Sequence, residues 1–128
     1  MKKSNDNFFV RRKRAFGHAW RGLRLLAGRE VHFRIHLIAF IVVLAVGWWT
    51  GLSLAEWLSI IIVSGLVFTA EAFNSVIERL CDFVSPEYHT RIKDIKDMSA
   101  AAVTLAAITA FIAGLIIFIP KLIFPLFS

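Results

Sequence analysis

Ala100 to Ile119 is a run of twenty residues without a charge. As a helix rising 1.5 Å per residue, such a run covers about 30 Å, the hydrocarbon thickness of a bilayer. It therefore predicts a membrane-crossing helix. Two further stretches point the same way. Phe33 to Thr50 contains the uninterrupted apolar core Leu37 to Trp49, and a second span is expected from Leu54 to about Leu80, with the charge-free run Trp57 to Ala70 inside it. Hydrophobic residues make up 58% of the 128 residues, above the roughly 45–50% of soluble domains. The expected fold class is an all-α integral membrane protein with three transmembrane helices in one domain. No small-x-small cleavage site closes the first run, and more spans follow it, so a cleaved signal peptide does not fit. Pro120 is expected to end or kink the third span. Ala102, Ala106, Ala110 and Gly114 recur every four residues. They predict a face of small side chains that admits a neighbouring helix, unless they are alanines merely tolerated against lipid.

The chain divides into residues 1–29, a cytoplasmic basic tail and surface helix, and residues 30–128, the transmembrane part. Met1 to Asn7 is polar and expected to be disordered. From Phe8 to Arg29, Phe9, Phe16, Trp20 and Leu23 keep helical spacing among Arg11, Arg12, Lys13, Arg14, Arg21 and Arg24. This predicts an amphipathic helix on the membrane surface, its cations toward anionic headgroups. Gly17, Gly22 and Gly28 weaken it. The net charge of +6 alone would also suit a nucleic-acid partner, but its distribution tracks the membrane instead. Residues 1–36 hold ten Lys or Arg and the segment from Arg79 to Lys96 four, whereas the turn Thr50-Gly51-Leu52-Ser53 has none. By the positive-inside rule the N-terminus and the second connection are cytoplasmic and the C-terminus is outside. Trp48 and Trp49 suit the outer interface, and Arg34 and His36 the inner one. Phe83 to Lys96 reads as a polar connection, with Ser85-Pro86 as a turn or a fresh helix start. The lone Cys81 forms no internal disulfide and reads as a small apolar residue. His18, His32, His36 and His89 are scattered and read as interfacial or solvated.

The second span ends in a polar stripe. On a continuing helix Glu71, Asn74, Ser75, Glu78 and Asp82 fall within an arc of roughly 100°. Carboxylates in or beside a span cost about 2.5–3.5 kcal/mol each on insertion scales, so they signal binding or chemistry. Nucleotide loops of the G-x-x-x-x-G-K-[ST] and G-x-G-x-x-G types are absent, as is H-E-x-x-H. Carboxylates with an amide can hold Mg²⁺, a lysine can neutralise phosphate, and a carboxylate can serve as general base. Those parts fit phosphoryl transfer at the membrane surface. They also fit a small proton-coupled transporter, or a structural subunit whose polar stripe pairs helices. The sites of transporters usually lie near the bilayer midplane, whereas this stripe sits at one edge.

Glu71-Ala72-Phe73-Asn74-Ser75-Val76-Ile77-Glu78, followed by Asp82, resembles the E-x-x-N-[ST]-x-[IL]-E-x-x-x-D signature of the prokaryotic diacylglycerol kinase family. Ser85-Pro86-Glu87-Tyr88-His89 and Lys96-Asp97-Met98-Ser99-Ala100 continue the likeness downstream. Ala15-Phe16-Gly17, Trp20-Arg21-Gly22-Leu23 and Glu30-Val31-His32-Phe33-Arg34-Ile35-His36 carry it upstream. The resemblance covers roughly residues 11–119. It implies a trimeric lipid kinase of the bacterial cytoplasmic membrane, moving the γ-phosphate of MgATP to a lipid hydroxyl, with sites completed by neighbouring subunits. It implies Glu71 as general base, Glu30 and Glu78 as Mg²⁺ ligands, and Arg14, Glu30, Glu78, Asp82, Glu87, Lys96 and Asp97 around the nucleotide. Asn74 and Ser75 would support the acidic site, and Arg11 and Trp20 the lipid side. Phe33-Arg34-Ile35-His36 resembles the branch that phosphorylates undecaprenol, with diacylglycerol as the other substrate expected.

Overall fold

The computed structural model describes residues 7–126. They form α1 (Phe8–Arg29), α2 (Val31–Thr50), α3 (Leu54–Val84) and α4 (Thr90–Ile123), closed by a 3₁₀ turn at Phe124–Leu126. There is no strand among them. The helices α2, α3 and α4 are each long and apolar enough to cross a membrane, which matches the three expected spans. The disorder expected of Met1 to Asn7 lies outside the described residues, except at Asn7. There the carbonyl accepts the Val10 and Arg11 N–H groups and starts α1. That helix continues through all its glycines, has no buried residue, and leaves Phe9, Phe16 and Trp20 exposed.

Helix α2 stops where Gly51 turns left-handed at φ 72° and donates to the Gly47 carbonyl at 3.1 Å. Glycine is the residue that takes this conformation without steric cost. The next helix is capped reciprocally: Ser53 Oγ accepts the Glu56 N–H at 3.2 Å, and the Ser53 N–H donates to Glu56 Oε2 at 2.8 Å. Lys121, from the far end of α4, ties this turn down. Its Nζ lies 3.1 Å from Glu56 Oε2 and donates to the Gly51 carbonyl at 3.1 Å. Within the turn Gly47 is buried, and a Cβ there would stand 2.7 Å from Leu52 Cδ1 and 2.9 Å from Trp57 Cη2. Gly47→Ala should therefore destabilise the hairpin by about 1–3 kcal/mol through overpacking. Gly17→Ala, with nothing within 4 Å of the new atom, should not lower stability. Thermal unfolding of the two variants in detergent compares them directly.

Helices α3 and α4 form the most extensive packed pair, and α2 lies against α3. Phe68 of α3 stacks against Phe33 and Phe40 of α2, with ring centroids 5.4 and 5.6 Å apart. Three sequence expectations need correction. Helix α4 begins at Thr90 rather than near Lys96, because His89 caps it, Nδ1 accepting the Arg91 N–H at 3.1 Å. The connection is therefore only residues 85–89, and Ser85-Pro86 is a turn: Ser85 ends α3 and its hydroxyl donates to the Glu87 carbonyl. Second, α4 runs through Pro120 to Ile123. Pro120 lacks the N–H that would bond the Ile116 carbonyl, so the helix continues past it with one intrahelical hydrogen bond missing. Third, the buried line on α4 is Ser99, Ala106 and Ile117, whereas Ala102 is exposed. A spacing of four winds about 40° per step around a helix, so Ala102 falls off the packed face while Ala106 is buried and Ala110 and Gly114 stay half-buried beside α2 and α3 side chains. A Cβ on Gly114 would meet nothing within 4 Å.

Candidate active site

Because α3 is one unbroken helix, the apolar span delivers its polar end straight into the packing between helices. Glu71, Asn74 and Ser75 are 4%, 8% and 2% exposed. Glu78 is half-buried and Asp82 exposed, so the stripe grades from interior to surface over about three turns. Glu71, Asn74 and Glu78 line a groove of about 560 Å³, which is completed by His32 of α2 and by Ala100, Thr104, Ala107 and Phe111 of α4. Alanines at the wall leave room that larger side chains would fill. Asn74 Nδ2 donates to Glu78 Oε1 at 3.4 Å, while the buried Asn74 Oδ1 has no hydrogen-bond partner. A buried carbonyl left unpaired costs about 1–3 kcal/mol. The groove thus offers two carboxylates and an unsatisfied amide oxygen, a set of hard oxygen donors.

Glu71 has a neighbour that the sequence did not reveal. His36 of α2 brings Nε2 to 3.8 Å from Glu71 Oε2. The sequence alone reads His36 as an interfacial side chain. The one available signal was the i, i+4 spacing of His32 and His36, which puts both on the same face of α2.

The remaining predicted site residues divide into those brought toward the groove and those that are not. Glu30 occupies the break between α1 and α2, with φ −102° and ψ 112°. It accepts from Arg79 Nε at 2.9 Å, and the adjacent Nη2 closes on the same oxygen. That contact docks the break onto α3 at the residue after Glu78 in sequence, and Glu30 does not itself line the groove. Lys96 and Asp97, adjacent in sequence, take different partners. Lys96 Nζ reaches Asp82 Oδ1 of α3 and Lys93 Nζ reaches Asp97 Oδ2, each at 2.5 Å. Consecutive helix residues point about 100° apart, so one pair became two. Arg11, Arg14 and Trp20 remain on α1 and Glu87 in the connection; none of them lines the groove. Trp20 instead lines an apolar groove of about 750 Å³ with Phe33, Phe40, Phe68 and Phe73. No group of three or more His, Cys, Asp or Glu side chains gathers into a metal cluster among the described residues.

Residues 17–118 match the family described as prokaryotic diacylglycerol kinase. The chain belongs to that family. It is 37% identical over 120 residues to an undecaprenol kinase of Bacillus subtilis (strain 168), covering 94% of this chain and 98% of the relative. It is 32% identical over 114 residues to a diacylglycerol kinase of Escherichia coli (strain K12), covering 89% and 93%. A diacylglycerol kinase of Synechocystis is also 32% identical over 110 residues, 85% of this chain and 63% of that protein. The resemblance read from the E-x-x-N motif is thereby borne out, including its branch. Membership makes the protein a membrane-embedded lipid kinase, and it decides against the transporter reading of the same carboxylates.

Proposed function

We propose that the protein transfers the γ-phosphate of MgATP to the hydroxyl of undecaprenol, with Glu71 as general base. The observation that carries this reading is the groove itself, where a buried carboxylate shares one wall with Glu78 and an unpaired Asn74 oxygen. Glu71 takes the proton of the lipid hydroxyl as the oxygen attacks the γ-phosphorus. The P–O bond to the β-phosphate breaks and ADP leaves with its electron pair. Glu78 and Glu30 would hold Mg²⁺, which prefers oxygen ligands and commonly keeps water and phosphate oxygens in its remaining positions. When bound, the ion neutralises charge on the nucleotide phosphates. The donor set fits that ion, since one or two carboxylates suffice for a magnesium held jointly with phosphates. Asn74 and Ser75 keep the stripe packed and oriented. Lys96 supplies positive charge for phosphate, Asp97 and Asp82 face the nucleotide, and Arg14 and Glu87 complete that side.

The lipid approaches along α1, an amphipathic surface helix in this reading. The apolar groove beside Trp20 takes its chain and Arg11 lies toward its headgroup. The site faces the cytoplasm, consistent with the Lys and Arg bias, and the C-terminus lies on the other side. A homotrimer with shared sites accords with a groove whose α4 wall includes the exposed residues Ala100, Thr104 and Ile108. Undecaprenol is preferred over diacylglycerol because the undecaprenol kinase relative aligns with higher identity and nearly end to end. Purified protein in mixed micelles, given equal amounts of the two lipids and labelled MgATP, should form undecaprenyl phosphate in excess over phosphatidate. The reverse preference would reassign the lipid and leave the base in place.

A further inference from the structure

We propose that His36 positions Glu71 and carries off the proton that this carboxylate takes from the lipid hydroxyl. The inference rests on the reading of Glu71 as general base. Each transfer leaves one proton on that base, and the base must lose it before the next turnover. The Glu71 side chain is only 5% exposed, whereas the His36 imidazole is 26% exposed. Among the described residues, His36 is the ion-pair partner of Glu71, Nε2 standing 3.8 Å from Oε2. That separation exceeds the roughly 2.7–3.2 Å of a hydrogen bond. Contacts between catalytic groups are often long before substrate binds and tighten in the complex.

The surroundings fix which way the proton goes. His36 also lines an apolar cavity of about 410 Å³ with Phe40, Ile60, Val67 and Phe118. Apart from His36, the polar group on that side is the Ser64 hydroxyl, which does not titrate. From α4 the same cavity receives Ala110, Phe111, Gly114, Leu115 and Phe118, none of which titrates. The titratable groups near the imidazole are thus Glu71 and, farther along α3, Glu78, together with His32 one turn back on α2. The imidazole lines the apolar cavity and meets the groove through its contact with Glu71. In the step, the Glu71 O–H bond breaks and an N–H bond forms at His36 Nε2, which restores the carboxylate and gives an imidazolium. The imidazolium then releases the proton to water through its exposed edge. Imidazole suits this because a ring nitrogen can accept a proton and give it up again.

The test compares kcat, KM and the pH profile of wild type, His36→Gln, His36→Ala and Glu71→Gln in mixed micelles. His36→Gln should lose about 10²-fold in kcat, keep the KM values for MgATP and lipid, and show a pH profile altered from wild type. His36→Ala should regain turnover when imidazole is added, in proportion to its free base. Wild-type kcat and pH profile in His36→Gln would overturn the proposal. So would a loss in His36→Ala that imidazole leaves untouched, since that marks a packing role. Retained turnover in Glu71→Gln would instead remove the base, a result distinct from either.

Discussion

Glu71→Gln should lower kcat for lipid phosphorylation by about 10²–10⁴-fold, the usual contribution of a positioned general base. The KM for MgATP should stay near its wild-type value. Glutamine keeps the size and most of the hydrogen-bonding capacity of glutamate and removes only the ability to accept a proton. Glu71 is buried on the wall of the groove, so its replacement leaves helix packing intact. Size-exclusion elution in detergent and thermal unfolding should both match wild type. If the carboxylate instead served to pair helices, the substitution would disturb assembly and stability along with turnover. The effect on kcat with an unchanged elution profile therefore separates chemistry from architecture.

Glu78→Gln should raise the Mg²⁺ concentration for half-maximal activity by at least about tenfold. The argument is one of charge: an amide oxygen remains a hard donor, but the anion that attracts the cation is gone. Glu78 is held by Asn74 Nδ2 at 3.4 Å, a contact that a glutamine carbonyl can still accept, so its orientation persists. Glu30 is expected to show the same shift more weakly, because Arg79 already shares its carboxylate. An unchanged metal titration in Glu78→Gln would remove it from the ligand set.

Much of the architecture was readable because long charge-free runs in a short chain have few alternatives to spanning a membrane. The turn at Gly51, the end of α2 and the start of α3 lay at the edges of those runs. The start of α4 did not. Thr90 to Asp97 is polar, and hydropathy is blind to a helix that continues into water; the capping contact of His89 was the missing cue. The stripe of small residues held in part, since Ala106, Ala110 and Gly114 lie on the packed side, whereas a period of four departs from the helical repeat and leaves Ala102 exposed. At the site, the acidic stripe was legible because all its members share one helix. Contacts between helices were not. Glu30 with Arg79, Lys96 with Asp82 and His36 with Glu71 each join residues far apart in the chain. No spacing rule within one helix reaches them. Lys96 and Asp97, adjacent in sequence, are directed by the helix to different partners.

The most direct test of the central claim is the fate of the labelled γ-phosphate when purified wild type and Glu71→Gln are supplied with MgATP and undecaprenol in mixed micelles. The account predicts that label is extracted with the lipid as a phosphomonoester in wild type and is nearly absent from the lipid in Glu71→Gln. Label released by wild type only as inorganic phosphate, or transferred to lipid equally well by Glu71→Gln, would contradict it.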